Sequence, residues 1–251
     1  MADAHIIETR NLSKEFKGFL AVSEVDLRVR RGSIHALIGP NGAGKTAVFN
    51  LLTKFLEPTR GQILCDGRDV TRARPADLAR EGMVRSFQIS ATFPHLTVLE
   101  NVRIALQRRL GTSFHFWRSE ASLEVLNGRA QELIEAVGLA GFQSSTAAEL
   151  PYGRKRALEI ATTLALEPKL LLLDEPTAGM GHEDVGRVAE LIRAVAKDRT
   201  VLMVEHNLSV VADLSDVITV LQRGRILAEG SYDEVSNNPE VREAYMGTGH
   251  A

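Results

Sequence analysis

Two groups of residues in this chain have the types and spacing to act on a phosphorylated substrate. Gly39-Pro40-Asn41-Gly42-Ala43-Gly44-Lys45-Thr46 follows the pattern Gly, four residues, Gly-Lys-Ser/Thr, between an apolar run and the helical pattern Val48-Phe49-Leu51-Leu52. Glycines in such a loop let backbone N–H groups converge on phosphate oxygens without Cβ clashes, and the following helix turns its positive end to the anion. Lys45 would neutralise charge on the β- and γ-phosphates, and the Thr46 hydroxyl would ligate Mg2+. The second group is Leu170-Leu171-Leu172-Leu173-Asp174-Glu175. It reads as a buried strand delivering two carboxylates at its C-terminal end, where ligands of open α/β sheets collect. Asp174 would hold Mg2+, and Glu175 would orient and deprotonate an attacking water.

Elements of two kinds must position these groups. Ile34-His35-Ala36-Leu37-Ile38, Leu170 to Leu173, Val201 to Val204 and Val217 to Leu221 are short apolar runs bounded by charged or turn residues, and read as buried strands. Helical patterns lie between them. In Glu124 to Leu139 the residues Leu126, Leu133, Ile134 and Val137 share one helical face, with Gly138 as a stop signal. This alternation predicts an α/β fold with a largely parallel sheet. Ile6-Ile7-Glu8, Val25-Asp26-Leu27-Arg28-Val29 and Gln62-Ile63-Leu64 differ, and read as short exposed or antiparallel strands of a small β-layer beside the main sheet. Residues 89–157 lack strand signals, carry Phe114-His115-Phe116-Trp117, and read as an inserted helical subdomain. Without an internal repeat or Pro-rich linker, residues 1–251 are expected to form one domain with lobes.

Composition narrows the function. The chain has 30 Lys and Arg against 32 Asp and Glu, a formal charge of -2, so no global positive field exists to attract nucleic acid or anionic lipid. Cys65 is the only cysteine, which excludes an internal disulfide framework and leaves too few thiolates for a structural zinc site. The N-terminus has no secretory pattern and no run of about 18 apolar residues occurs, so any membrane work needs another chain to span the bilayer.

With these motifs in this order, the chain resembles the nucleotide-binding subunit of an ATP-binding-cassette (ABC) transporter over essentially its whole length. The resemblance implies a P-loop NTPase core with an antiparallel β-subdomain and the helical insertion. It also implies roles for further residues. Phe16 matches the aromatic that stacks on adenine. Gln88 matches the glutamine that senses Mg2+ and water and links the site to the membrane subunit. Pro151, Tyr152 and Gly153 lie in Leu150-Pro151-Tyr152-Gly153-Arg154, which matches the signature that meets the γ-phosphate held by an opposite subunit. Ala178-Gly179-Met180-Gly181 matches the interface loop after Glu175, without its commoner Leu-Asp ending. His206 matches the histidine that contacts the γ-phosphate and positions water. His35 and His182 lack partners at ligand spacing and are read as structural.

Two departures from the family pattern bear on affinity. Ala47 stands where a second Ser or Thr is usual, removing one hydroxyl contact worth about 1 kcal/mol net. Pro151 and Tyr152 replace the commoner Ser and Gly, and Pro151 offers neither hydroxyl nor N–H. Several stretches are similar to importers of branched-chain amino acids and related amides: Gly82 to Gln88, Phe93 to Val102, the Pro-Tyr-Gly signature, Thr177 to Met180, Asn237 to Val241, and the extra length around Arg108 to Leu126. The resemblance then implies transmembrane permease partners docked near Gln88 to Leu99, a second ATP-binding subunit, and indirectly a solute-binding protein. It places the chain on the cytoplasmic face of the inner or plasma membrane, with ATP and Mg2+ as cofactors and no nucleic acid. Two other readings stay open at this point: an ATP-dependent scaffold, and a soluble non-transport ATPase of the same superfamily.

Overall fold

A computed structural model describes residues 4–86, 92–110 and 124–246. Gln88, the Phe114 to Trp117 cluster and most of the extra length after Arg108 lie outside the described residues. In chain order the strands are β1 (His5–Phe16), β2 (Phe19–Val25), β3 (Arg28–Arg30), β4 (Ile34–Ile38), β5 (Arg60–Cys65), β6 (Arg68–Asp69), β7 (Met83–Ser86), β8 (Leu170–Asp174), β9 (Thr200–Val204), β10 (Val217–Gln222) and β11 (Arg225–Gly230). The helices are α1 (Lys45–Leu52), α2 (Pro75–Arg80), α3 (Val98–Leu110), α4 (Asn127–Ala136), α5 (Tyr152–Leu164), α6 (His182–Ala196), α7 (Leu208–Leu214), α8 (Tyr232–Asn237) and α9 (Pro239–Met246).

The main sheet has the order β11-β10-β4-β9-β8-β7, parallel except for the antiparallel edge strand β11. Its inner strands are apolar on both faces because both faces are covered. Ala36, Leu171, Leu173, Val201 and Met203 belong to a core shared with α3 to α7. Their neighbours Leu37, Leu170, Leu172, Leu202 and Val204 belong to a second core, shared with α1 and the N-terminal β-layer. The period-2 alternation of side chains thus sorts the two layers.

That β-layer has the order β2-β1-β5-β6, with β3 also paired to β1. The expected strand over Val25 to Val29 is instead broken at Asp26-Leu27, between β2 and β3. The break has a local cause. The Thr9 hydroxyl donates to Val25 O and accepts from Leu27 N–H, each at 2.8 Å, while Asp26 Oδ1 accepts the Asn11 N–H at 2.6 Å. Asn11 has φ 47, so β1 bends there, pairing with β3 through its first half and β2 through its second. The first strand is also far longer than its Ile6-Ile7-Glu8 signal.

Within residues 92–157 the described elements are helical apart from an isolated bridge between Thr97 and Thr146. The helix expected over Glu124 to Leu139 is shorter, Asn127–Ala136, and Gly138 (φ 73) follows its end. The helix α5 runs on past residue 157 to Leu164, packing Leu158, Ile160 and Ala161 into the first core. No helix of the described residues is long and apolar enough to cross a membrane.

Candidate functional site

Parallel pairing puts the carboxyl ends of β4, β9 and β8 side by side, and each carries part of the expected site. After β4 the chain turns through Gly39 (φ 148), where a Cβ would lie 2.2 Å from the Leu221 carbonyl oxygen. At Gly44 (φ 102) a Cβ would lie 2.7 Å from Ala21 O. Both positions need glycine, because the loop is pressed between β10 and β2. Ala43 N–H bonds Pro40 O at 3.1 Å and Gly224 N–H bonds Ala43 O at 2.9 Å, closing the loop. The hydroxyl of the half-buried Tyr245 on α9 hydrogen-bonds the Gly39 backbone, and desolvation pushes its pKa up to about 12.

Lys45 folds back across this loop, donating to Gly39 O at 2.7 Å and Pro40 O at 3.0 Å. Burial lowers its pKa, and the charge of Glu175 opposes that shift. Thr46 is exposed at the start of α1, whose first turn carries no acid, so the positive helix end stays open to an anion. Ala47 is half-buried against the second core.

At the end of β8 the Asp174 carboxylate is ion-paired with Arg85 of β7, a residue given no role by sequence. Arg85 also donates to Asn50 Oδ1 at 2.7 Å, and its guanidinium lies 5.2 Å and 5.6 Å from the ring centres of Phe49 and Phe55. Arg156 of α5 donates to the Asp174 carbonyl at 3.1 Å. Glu175 then turns with φ 46, its N–H bonded to Val204 O at 2.8 Å.

His206, just past β9, meets it: Nε2 lies 2.9 Å from Glu175 Oε1. Both side chains are about one-third to one-half exposed, at 33% for Glu175 and 44% for His206, so the pair is open to substrate. Asn207 caps α7 by accepting the Ser209 N–H at 3.1 Å, which fixes the turn that presents the histidine. Beneath the pair lies Glu205, 2% exposed and also given no role by sequence. It accepts the Thr177 hydroxyl and the His206 N–H, and burial raises its pKa against those bonds.

The expected signature residues stand elsewhere. Pro151 caps α5, Tyr152 is 42% exposed, and Gly153 is buried where a Cβ would lie 2.6 Å from Asp184 Cγ of α6. The helices α5 and α1 pack on opposite faces of the sheet, so the fold does not join the signature to the phosphate loop of its own chain. Phe16 is 43% exposed at the β1–β2 hairpin, with Lys14 Nζ 5.1 Å from its ring centre. Ala178 and Gly179 are exposed, held by Ala178 N–H to Glu175 O at 3.1 Å.

His182 is the exposed first residue of α6. His35 is fully buried, its Nε2 2.7 Å from the Thr219 hydroxyl, which donates to Glu229 Oε2 at 2.6 Å. Burial pushes the His35 imidazole down to about 4. His35 is thus a core residue, whereas His182 stands on the surface.

The Thr46 hydroxyl at the start of α1 and the Asp174 carboxylate at the end of β8, the latter ion-paired with Arg85, offer a sparse supply of hard oxygen donors. Such a set suits Mg2+, which keeps several waters and takes phosphate oxygens beside one or two carboxylates. The signal that could have found Arg85 and Glu205 was the same in both cases: a charge at or inside an apolar strand run.

Comparison with known proteins shows the family. The ABC transporter family matches residues 22–178, and the family described as branched-chain amino acid ATP-binding cassette transporter matches residues 225–251. The high-affinity branched-chain amino acid transport ATP-binding protein BraF of Pseudomonas aeruginosa is 39% identical, covering 96% of this chain and 98% of the relative. LivG of Escherichia coli, of the same description, is 37% identical over 96% of this chain and 98% of its own. A crystal structure of an ATP-binding cassette in its ADP conformation superposes with TM-score 0.85 at 30% identity, covering 98% of this chain and 100% of that one. A nucleotide-free cassette superposes with TM-score 0.84 at 30% identity, covering 96% and 98%. The chain belongs to the ABC transporter family. It is an ATP-binding, ATP-hydrolysing subunit that energises a membrane transporter.

Proposed function

We propose that the chain powers the import of branched-chain amino acids or closely related amino acids and amides. The carrying observation is the Glu175–His206 pair, 2.9 Å apart at the ends of adjacent strands and beside the phosphate loop. The cargo class rests on the names of the relatives and on the match over residues 225–251.

Gly39 to Thr46 would cradle the phosphates with backbone N–H groups, Ala47 contributing its N–H but no hydroxyl. Lys45 would leave the Gly39 and Pro40 carbonyls for the β- and γ-phosphates. Thr46 and Asp174, with Gln88, would hold Mg2+, which when bound neutralises developing phosphate charge. Glu175 would take the proton of the attacking water, while His206 Nε2 contacts the γ-phosphate and holds Glu175 in line. Phe16 would stack on the adenine.

The signature, Pro151 to Gly153, would serve the site of a second ATP-binding subunit. The exposed Tyr152 at the start of α5 supports that reading, since α5 packs on the sheet face opposite to α1 and its phosphate loop. Permease subunits would dock near residues 88–99, anchoring the chain at the cytoplasmic face of the membrane. Residues 1–251 would work as one nucleotide-binding domain, with 89–157 as its helical subdomain.

The test is reconstitution with the permease subunits and their solute-binding protein, in vesicles that contain ATP. Uptake of labelled leucine should depend on ATP and on Lys45. ATP turnover that never responds to any solute of this class would overturn the cargo assignment.

A further inference from the structure

Beyond the Glu175 N–H to Val204 O bond, the β8 and β9 chains part, and side chains span the gap. One span is the Glu175–His206 contact itself. The other is Glu205. Its Oε1 accepts the hydroxyl of Thr177, two residues past Glu175, and its Oε2 accepts the backbone N–H of His206 at 2.9 Å. Glu205 is 2% exposed and Thr177 5%. A carboxylate is a costly way to fill such a space, because desolvation must be offset by its bonds. Both oxygens are used, and each takes a donor from a different loop. Both contacts end on this one side chain, so it sets the spacing of the loops.

We propose that Glu205 is a positioning residue: its buried carboxylate clasps the Glu175 loop to His206 and thereby holds the Glu175–His206 pair in hydrolytic register. This rests on the roles proposed above for Glu175 and His206. Glu205 touches neither substrate nor metal in this account, and acts through the two residues it ties. A glutamine there keeps the two-point shape, its carbonyl accepting one donor and its amide donating to the Thr177 oxygen. An alanine leaves the buried Thr177 hydroxyl and the part-buried His206 N–H without this acceptor.

The experiment measures phosphate release by the full chain for Glu205→Ala, Glu205→Gln and Thr177→Val, each alone and combined with His206→Ala. For Glu205→Ala the expected result is a fall in kcat of about 100-fold, the cost of a misplacement near 1 Å, with KM for ATP unchanged. Glu205→Gln should restore most of the loss. Thr177→Val should fall in between, and serves as the test if the alanine variant does not fold. In the His206→Ala background either substitution at Glu205 should cost much less than it does alone, because the pair it holds is already broken.

A normal kcat in both Glu205→Ala and Thr177→Val would overturn the proposal. So would an equal fold-loss with and without His206, which would mark a general structural role. Normal turnover in His206→Ala alone would instead remove the assignment of His206, and the clasp with it.

Discussion

Glu175 Oε1 and His206 Nε2 stand 2.9 Å apart although 31 residues separate them in the chain. The contact exists because β8 and β9 are parallel neighbours with Asp174 opposite Val204, so each strand releases its next residues at the same height. Buried apolar strands thus supply precision to two exposed polar groups.

The phosphate loop carries one adjustable contact. Ala47 is half-buried at the first turn of α1. Ala47→Ser restores a hydroxyl where the nucleotide phosphates are expected, and one neutral hydrogen bond is worth about 1 kcal/mol, or roughly 5-fold in Kd. Calorimetric titration with ATP should show that tightening, with no loss of thermal stability.

The signature glycine is bound to its place by packing. A Cβ on Gly153 would lie 2.6 Å from Asp184 Cγ and 2.7 Å from its Oδ1. Gly153→Ala should therefore cost about 1 to 3 kcal/mol in stability by overpacking. Adding Asp184→Ala should return most of it. Denaturant unfolding of both variants checks this, and an equal cost in the double variant would contradict it.

His35 makes stability depend on pH. The folded chain holds its imidazole at about 4 through burial, whereas the unfolded chain has the ordinary 6.5. Between these values the unfolded state binds a proton that the fold refuses. Stability from this residue is therefore complete above pH 6.5 and drains as pH falls towards 4, a loss on the order of 3 kcal/mol. His35→Val should flatten that part of the urea-stability profile by about one proton.

The legible parts of this protein were those with a local signature. The phosphate loop, Asp174-Glu175 and the buried strands β4, β8, β9 and β10 announce themselves through glycine spacing and uninterrupted apolar runs. Partnerships across the fold left no such trace. Arg85 reads as one basic residue in a short run, and only the pairing of β7 with β8 places it on Asp174. Glu205 reads as a strand-end acid until Thr177 arrives from another loop. The break at Asp26-Leu27 depends on the Thr9 side chain, 18 residues from Leu27, substituting for ladder bonds. Tyr245 meets Gly39 from the far end of the chain.

Glu175 is the residue assigned to proton abstraction in ATP hydrolysis. The most direct measurement is phosphate release by Glu175→Gln beside ATP binding by the same protein. Glutamine keeps the size and the contact with His206 but removes the base, so turnover should fall by at least about 100-fold, in the range of a lost general base, while ATP stays bound. Turnover at the unsubstituted rate would contradict the assignment and leave the Glu175–His206 contact a structural one.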